Sequence, residues 1–378
     1  MSFSVGEPPR HRADGRHGET VLNHGAMAAP ARDEDLITRL QAQLDVFVAT
    51  QRDRLADAGP EAAALLDAAH AAVSGGKRLR AAYCYWAWRA AGGSIEDDRP
   101  IVAGAALEWL QASALAHDDV IDESDTRRGR PSAHRAFATQ HRVRGWRGDA
   151  GHYGVGAAIL LGDLMLSWAD ETFAPLRTST EAGGHFDACK SEVVAGQFLD
   201  VVAEAAGDPS VESAMRVVRY KAAKYTVERP LLIGATLAGA SPVLVESLRG
   251  FGLPIGEAFQ LRDDVLGVFG DAAVTGKPAG DDLRAGKRTV LIARAYERSD
   301  SEQRTTLDDL VGDPRLDSAG VERVRDVVRE TGALTAVEEH ITTLHDTALQ
   351  ALDAAPIIDE VARKSLTQLA ERTVQRER

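Results

Sequence analysis

LEWLQASALAHDDVIDESDTRRGR, residues 107–130, opens as an apolar helical pattern and ends in charge. Leu107, Leu110, Ala114 and Leu115 lie on or near one stripe, and Asp118, Asp119, Asp122, Glu123 and Asp125 follow at the end of it. One turn separates Asp118 from Asp122. Their Cβ atoms are then about 5–6 Å apart on one face, so both carboxylates can reach the same hard cation. Asp119 points from a different face. The cations Arg127, Arg128 and Arg130 come next, with Gly129 between them, and suit a phosphate as well as a carboxylate.

Such an acidic-then-basic run, met once, reads as a solvated helix end with ordinary ion pairs. A second copy changes the reading. EAFQLRDDVLGVFGD, residues 257–271, is again an apolar helical pattern carrying adjacent acids, Asp263 and Asp264. Two buried helices tipped with like charge repel and resist desolvation, so cations are the expected compensation.

Composition bounds the rest. The chain has 378 residues, 44% hydrophobic and 27% charged, enough for a substantial core in the ordinary globular class. A net charge of −13 argues against a nucleic-acid partner or an anionic membrane surface, so the basic clusters read as a local anion pocket. Two cysteines, Cys84 and Cys189, have neither metal-ligand spacing nor a disulfide framework, and a reducing cytoplasm is expected. No run is long and apolar enough for a membrane span: residues 154–169 are apolar but short and interrupted by Gly162 and Asp163.

Residues 1–32 lack apolar periodicity and a hydrophobic run, so they read as a disordered tail with neither signal peptide nor anchor. From Asp33 to Arg378 helical patterns dominate and no alternating strand of convincing length appears, which predicts an all-α fold. Ser74-Gly75-Gly76-Lys77-Arg78-Leu79-Arg80 interrupts them. Glycines let backbone amides approach a phosphate, and Lys77 and Arg80 at the start of the next helix can reach one ligand together. Residues 142–154, rich in Gly and Arg, read as a surface loop. Lys221 and Lys224 stand in an otherwise apolar helix, and a Gly-rich loop presents Lys277 and Lys287. These groups make chemical sense only if they converge, so residues 33–378 are expected to form one large helical bundle with the site in its central cavity.

Read together, GGKRLR (75–80), DDVIDESDTRRG (118–129), GQFLD (196–200), YKAAKYT (220–226), FQLRDDVLGVFGD (259–271) and GKPAGDDLRAGK (276–287) resemble the trans-isoprenyl diphosphate synthases, in that family's order and close to its spacing. The resemblance implies a prenyltransferase that condenses isopentenyl diphosphate with an allylic diphosphate, as a homodimer. Asp118, Asp122 and Asp263 would hold three Mg²⁺ ions, with Mn²⁺ as the alternative ion, supported by Asp119, Asp264 and Asp282. Arg127, Lys221 and Lys277 would grip the allylic diphosphate; Lys287, with Asp282, would belong to the closing segment and count among the substrate-binding residues; Gly76, Lys77, Arg80, Gln111 and Arg128 would hold isopentenyl diphosphate; Gln260 would sit beside the carbocation. In the family the departing diphosphate takes the final proton, so no histidine base is required.

Two positions depart from the family pattern. Gly267 stands where many members carry Asp, which touches a water-bridged metal contact, and restoring Asp there is expected to change the rate little. Ala222 replaces a common Thr. Product length is expected to depend on the helix behind Asp118: Ser113 and Ala114 are small, and Trp109 or Leu110 is the expected floor, which predicts geranylgeranyl diphosphate. Farnesyl or longer products are the alternatives, and a terpene cyclase or a noncatalytic synthase subunit are rival readings. The hook at Gly75–Arg80, which implies a second diphosphate, disfavours the first rival; the intact acidic pairs disfavour the second.

Overall fold

Residues 31–374, except 208 and 271–279, are described by a computed structural model. Among them the chain is helical almost throughout. The expected tail lies outside the described residues up to residue 30, and Lys277 lies outside them as well.

Helix α1 (Ala31–Arg54) buries Leu36, Leu40, Leu44 and Val48, the stripe that its period requires. Helix α2 (Pro60–Ala72) starts with proline at its first position, where no backbone donor is needed. Helix α3 (Leu79–Ala90) is buried on every side, with Tyr83, Trp86 and Trp88 among its largest side chains. Helix α4 (Arg99–Ile121) carries the first acidic motif to its C-terminal end. Helices α5 (Ala133–Val143) and α6 (Ala150–Phe173) are joined by only six residues. The surface loop expected over 142–154 is therefore much shorter than its glycines suggested: the Asp149 side chain accepts the His152 amide at 2.7 Å and starts α6 early.

Helix α7 (Thr180–Ala206) begins at Ser179, whose hydroxyl accepts the Ala182 amide. Helix α8 (Val211–Val217) then passes without a break into an eleven-residue π-helix, Val218–Glu228, and on into α9 (Arg229–Leu237). Sequence periodicity predicts one continuous helix here. The wider winding is local and long for its type, and π segments gather at functional sites. Two glycines on neighbouring helices make room for it. A Cβ on Gly196 of α7 would stand 2.2 Å from the Lys221 amide nitrogen, and one on Gly256 would stand 2.5 Å from the Ala223 carbonyl oxygen. Gly256 belongs to α10 (Pro242–Phe269), which carries the second acidic motif.

Five further helices, from Val290–Arg298 to Glu360–Val374, close the bundle: four pack against α10, the last of them also against α3, and Ser301–Leu310 packs on Ser318–Glu330. The last is tied in by Tyr83 and Thr373, whose hydroxyls are 3.1 Å apart, and by the Arg262 guanidinium, which donates to the Val374 carbonyl. No described helix is long and apolar enough to cross a membrane.

The contact at Gly196 predicts a stability effect. Gly196→Val should lower unfolding free energy by about 1–3 kcal/mol, the usual cost of overpacking, because the obstacle is backbone. Urea unfolding checks it, and Gly184→Val, whose added Cβ would meet nothing within 4 Å, serves as the control.

Candidate active site

The end of α4 brings its acids into the bundle rather than into solvent. The Asp122 amide donates to the Asp118 carbonyl at 2.8 Å, so the one-turn spacing persists although α4 itself ends at Ile121. Arg127 binds back to this motif, its Nε 2.8 Å from Asp119 and one terminal nitrogen 3.1 Å from Asp118. Asp119 leaves α4 from another face, as its position predicts, yet Arg127 ties it to its neighbour. Arg127 belongs to a small hairpin, Thr126–Arg127 paired with Arg130–Pro131. Its two turn residues, Arg128 and Gly129, both have positive φ, as type I′ turns demand.

Lys221, from the π segment, lies 2.5 Å from Asp200 and 3.3 Å from Asp118. Lys287 lies 2.7 Å from Asp122. Burial works against the charge of Asp118, but Lys221, Lys287 and Arg127 outweigh it and hold the carboxyl below its usual range. The same balance runs in reverse for both lysines. Burial opposes their charge, and the surrounding carboxylates raise them above the ordinary ammonium value.

Asp200 was visible in GQFLD without an assigned role; the π-helix turns Lys221 onto it. Glu204, one turn further along α7, was missed: burial first and Asp200 next push its carboxyl upward. The i,i+4 spacing of these two acids was the available signal. Lys224, which sequence groups with Lys221, belongs elsewhere. It pairs with Glu192 at 2.7 Å, together with Arg229.

On α10, Gln260 donates to Asp264 at 2.8 Å. Burial above all, reinforced by Asp282, Asp263 and Asp200 against that hydrogen bond, pushes the Asp264 carboxyl up to about 7. Its Oδ2 is buried and, among the described residues, has no hydrogen-bond partner. Asp263 precedes it, half buried.

The glycine hook stands beside the arginine hairpin: a Cβ on Gly76 would lie 3.4 Å from the Arg128 guanidinium. Arg80 stacks on the Tyr225 ring at 4.0 Å and donates to the Thr226 hydroxyl at 2.9 Å, which binds the hook to the π segment. Arg78 turns inward, to Glu108 at 2.6 Å, and is structural. Lys77 remains at the exposed edge, and Gln111 lies half buried on α4.

Behind Asp118, Leu110 and Ser113 are buried and Ala114 is half buried. Trp109 is fully buried in a three-ring cluster, its centroid 5.7 Å from that of Phe47 and 5.0 Å from that of Trp168. Nine residues at 3.6 per turn set it about 180° around α4 from Asp118, whereas Ala114 and Leu110 lie about 40° and 80° away.

Residues 62–330, well over half of the chain, match the polyprenyl synthetase family. The chain belongs to that family. It is similar to the geranylgeranyl diphosphate synthase of Mycobacterium tuberculosis, 34% identical across 70% of this chain and 71% of the relative. The geranylfarnesyl diphosphate synthase of Aeropyrum pernix is 31% identical over 81% and 92%. Among solved structures, a geranylgeranyl pyrophosphate synthase from Corynebacterium glutamicum, complexed with isoprenyl diphosphate and magnesium, superposes with a TM-score of 0.86 at 40% identity, covering 91% of this chain and 99% of that one. The chain is a prenyltransferase of the all-α synthase fold.

The buried Asp264 predicts a pH effect. A folded-state value raised to about 7 stabilises the fold fully below the ordinary carboxylate value near 4, and that contribution disappears as pH rises through 7. In metal-free buffer Asp264→Asn should therefore gain melting temperature on the wild type between about pH 4 and pH 7 and gain no more above. A pH-independent difference would remove burial as the cause.

Proposed function

We propose that this prenyltransferase joins isopentenyl diphosphate to an allylic diphosphate with Mg²⁺ and releases geranylgeranyl diphosphate. The observation that carries the reading is the convergence of Asp118, Asp122 and Asp200 on Lys221 and Lys287, with Asp264 of the second motif near enough to Asp200 and Asp282 for their charges to raise it, beside a separate hook of Gly76, Lys77, Arg80 and Arg128. Two cation clusters match two diphosphates.

Among the described residues no three acids converge tightly enough to grip one ion; most are held by lysine or arginine instead. The donor set nevertheless fits a hard cation: carboxylates only, one turn apart in Asp118 and Asp122, with the buried Asp264 Oδ2 lacking a partner among the described residues. Asp118, Asp122 and Asp263 would hold up to three Mg²⁺ ions, with Mn²⁺ as the substitute, and Asp119 and Asp264 would support them. Bound there, the ions neutralise charge on the leaving diphosphate.

Lys221, Arg127 and Lys287 then exchange carboxylate partners for diphosphate oxygens, and hold the charge that develops as the allylic C–O bond breaks. Gln260 and the π-segment backbone around Lys221 and Ala222 face the resulting cation. The isopentenyl double bond attacks, and the released diphosphate removes the proton. Burial of the site excludes water, which would otherwise trap the cation as an alcohol. Lys277 completes the diphosphate grip in this reading. A second copy covers the apolar surface that Ile159 and Leu160 of α6 and Val194 and Phe198 of α7 leave exposed.

The tail runs back along the Asp118 side of α4, over Ala114, to Leu110. Trp109, on the opposite face, is part of the packing and not the floor. By the same winding Ser113 lies about 140° around α4 from Asp118, towards Trp109, and does not line this route.

Incubation with isopentenyl diphosphate, allylic primers of several lengths and Mg²⁺, followed by chromatography, tests the function directly. Asp118→Ala should lower turnover by several orders of magnitude with the fold intact, since it loses an interaction made as charge develops. Near wild-type turnover would sink the assignment. Ala114→Phe should shorten the product towards farnesyl diphosphate and Leu110→Ala should lengthen it, while Trp109→Ala should lower the melting temperature without lengthening the chain. Longer products from Trp109→Ala alone would move the floor to the aromatic cluster.

A further inference from the structure

A second group of charges meets at the π segment, apart from the acids that hold Lys221. Glu192 of α7 takes Lys224 on Oε1 at 2.7 Å and Arg229 on both oxygens, Nε to Oε2 and a terminal nitrogen to Oε1, each at 2.7 Å. The other terminal nitrogen of Arg229 donates to His185 Nδ1 at 3.2 Å. Burial, Arg229 and Arg249 push the His185 ring down to about 4, so it is neutral at pH 7 and can accept. Burial opposes the charge of Glu192, but the bonds from Arg229 and Lys224 outweigh it and hold the carboxyl below its usual range. Glu192 stands one turn before Gly196 on α7, and so on the face against which the π segment packs.

Lys224 and Arg229 are five residues apart. In an α-helix five residues turn through about 500°, which leaves the two side chains about 140° apart and pointing away from a shared carboxylate. A π turn closes between residues i and i+5 and stacks them. The backbone agrees: the Arg229 amide donates to the Lys224 carbonyl, a π hydrogen bond between the same two residues whose side chains meet on Glu192. Other pairs tie the segment to α10, Arg219 to Glu257 at 2.7 Å and Glu228 to Arg249 at 2.8 Å. Each of these engages one residue of the segment and so cannot select a winding. Gly196 and Gly256 permit close approach of the neighbouring helices but do not select it either.

We propose that Glu192 is a positioning residue for the transfer reaction: by binding Lys224 and Arg229 together it selects the π winding, and that winding turns Lys221 onto Asp118 and Asp200. Three residues separate Lys221 from Lys224, so in α winding both lysines would share a face and its partners. Glu192 touches no reacting atom and acts through the backbone that its two partners span. The inference rests on the reading of Lys221 as a diphosphate ligand, and concerns only what aims it.

The test is a double-mutant cycle on the full chain, read by turnover and by calorimetric binding of inorganic diphosphate with Mg²⁺, together with a crystal structure of each variant. Glu192→Gln removes the central charge; Lys224→Met keeps the Glu192–Arg229 pair and removes only the bridge into the π segment. Each should lower kcat about a hundredfold, the scale of a group misplaced by about 1 Å, and weaken diphosphate binding. Each structure should show the Arg229 amide bonded four residues back, to the Tyr225 carbonyl. In a Lys221→Ala background neither substitution should lower kcat by more than about a further twofold, whereas a merely structural role would add its full effect. A π winding retained in Lys224→Met with Lys221 still on Asp200, or losses that add fully to that of Lys221→Ala, would overturn the proposal. Changed winding with wild-type turnover and diphosphate binding would instead count against Lys221 as a diphosphate ligand; it would end the catalytic part of the proposal and leave Glu192 as the residue that sets the winding.

Discussion

Mutual repulsion of carboxylates is the constraint from which the rest of this bundle follows. Asp118 and Asp122 end one buried helix, Asp263 and Asp264 stand on another, and Asp200 and Asp282 approach from two further elements. At an effective dielectric near 20, unit charges 4 Å apart interact by about 4 kcal/mol, attractive or repulsive. Lys221, Lys287 and Arg127 convert most of these contacts into attraction. Desolvation consumes much of that gain, so the pairs are a modest source of stability and a ready exchange partner for a ligand of higher charge density. A site built this way is held together by the groups that the substrate is proposed to claim.

The π segment is the structural device that makes the exchange available. In a regular helix Lys221 and Lys224 lie three residues apart on one face and would serve the same partners. Extra winding over Val218–Glu228 separates them: Lys221 faces Asp118 and Asp200, Lys224 faces Glu192. Backbone that departs from the α pattern needs close neighbours to hold it, and Gly196 and Gly256 allow α7 and α10 to approach within a distance that any side chain would prevent. Arg80 adds a third restraint by stacking on Tyr225. The hook and the acidic cluster are thereby joined through one segment.

Legibility divides along the range of the forces involved. The helical periods, the Asp118/Asp122 spacing and the glycine hook all arise from residues within one or two turns, and each could be read directly. So could the all-α class, because no stretch alternates. The loop over 142–154 was misjudged because a single cap, Asp149, decides where α6 begins, and composition averages over such a residue. Trp109 was open to local arithmetic, since nine residues set it half a turn around α4 from Asp118; only its partners there, Phe47 and Trp168, had to come from elsewhere in the chain.

By itself the sequence determined that two acid-tipped helices and two basic clusters exist, at spacings that serve cations and phosphates, because those spacings depend only on helix geometry. Tertiary structure alone decided which charges meet. Lys287 reaches Asp122 across 165 positions, Lys221 turns to Asp200 through a π winding, and Asp282 fills the space above Gly267. Each depends on where distant helices pack, and packing is set by the buried apolar surface of the whole chain, to which no short motif is sensitive.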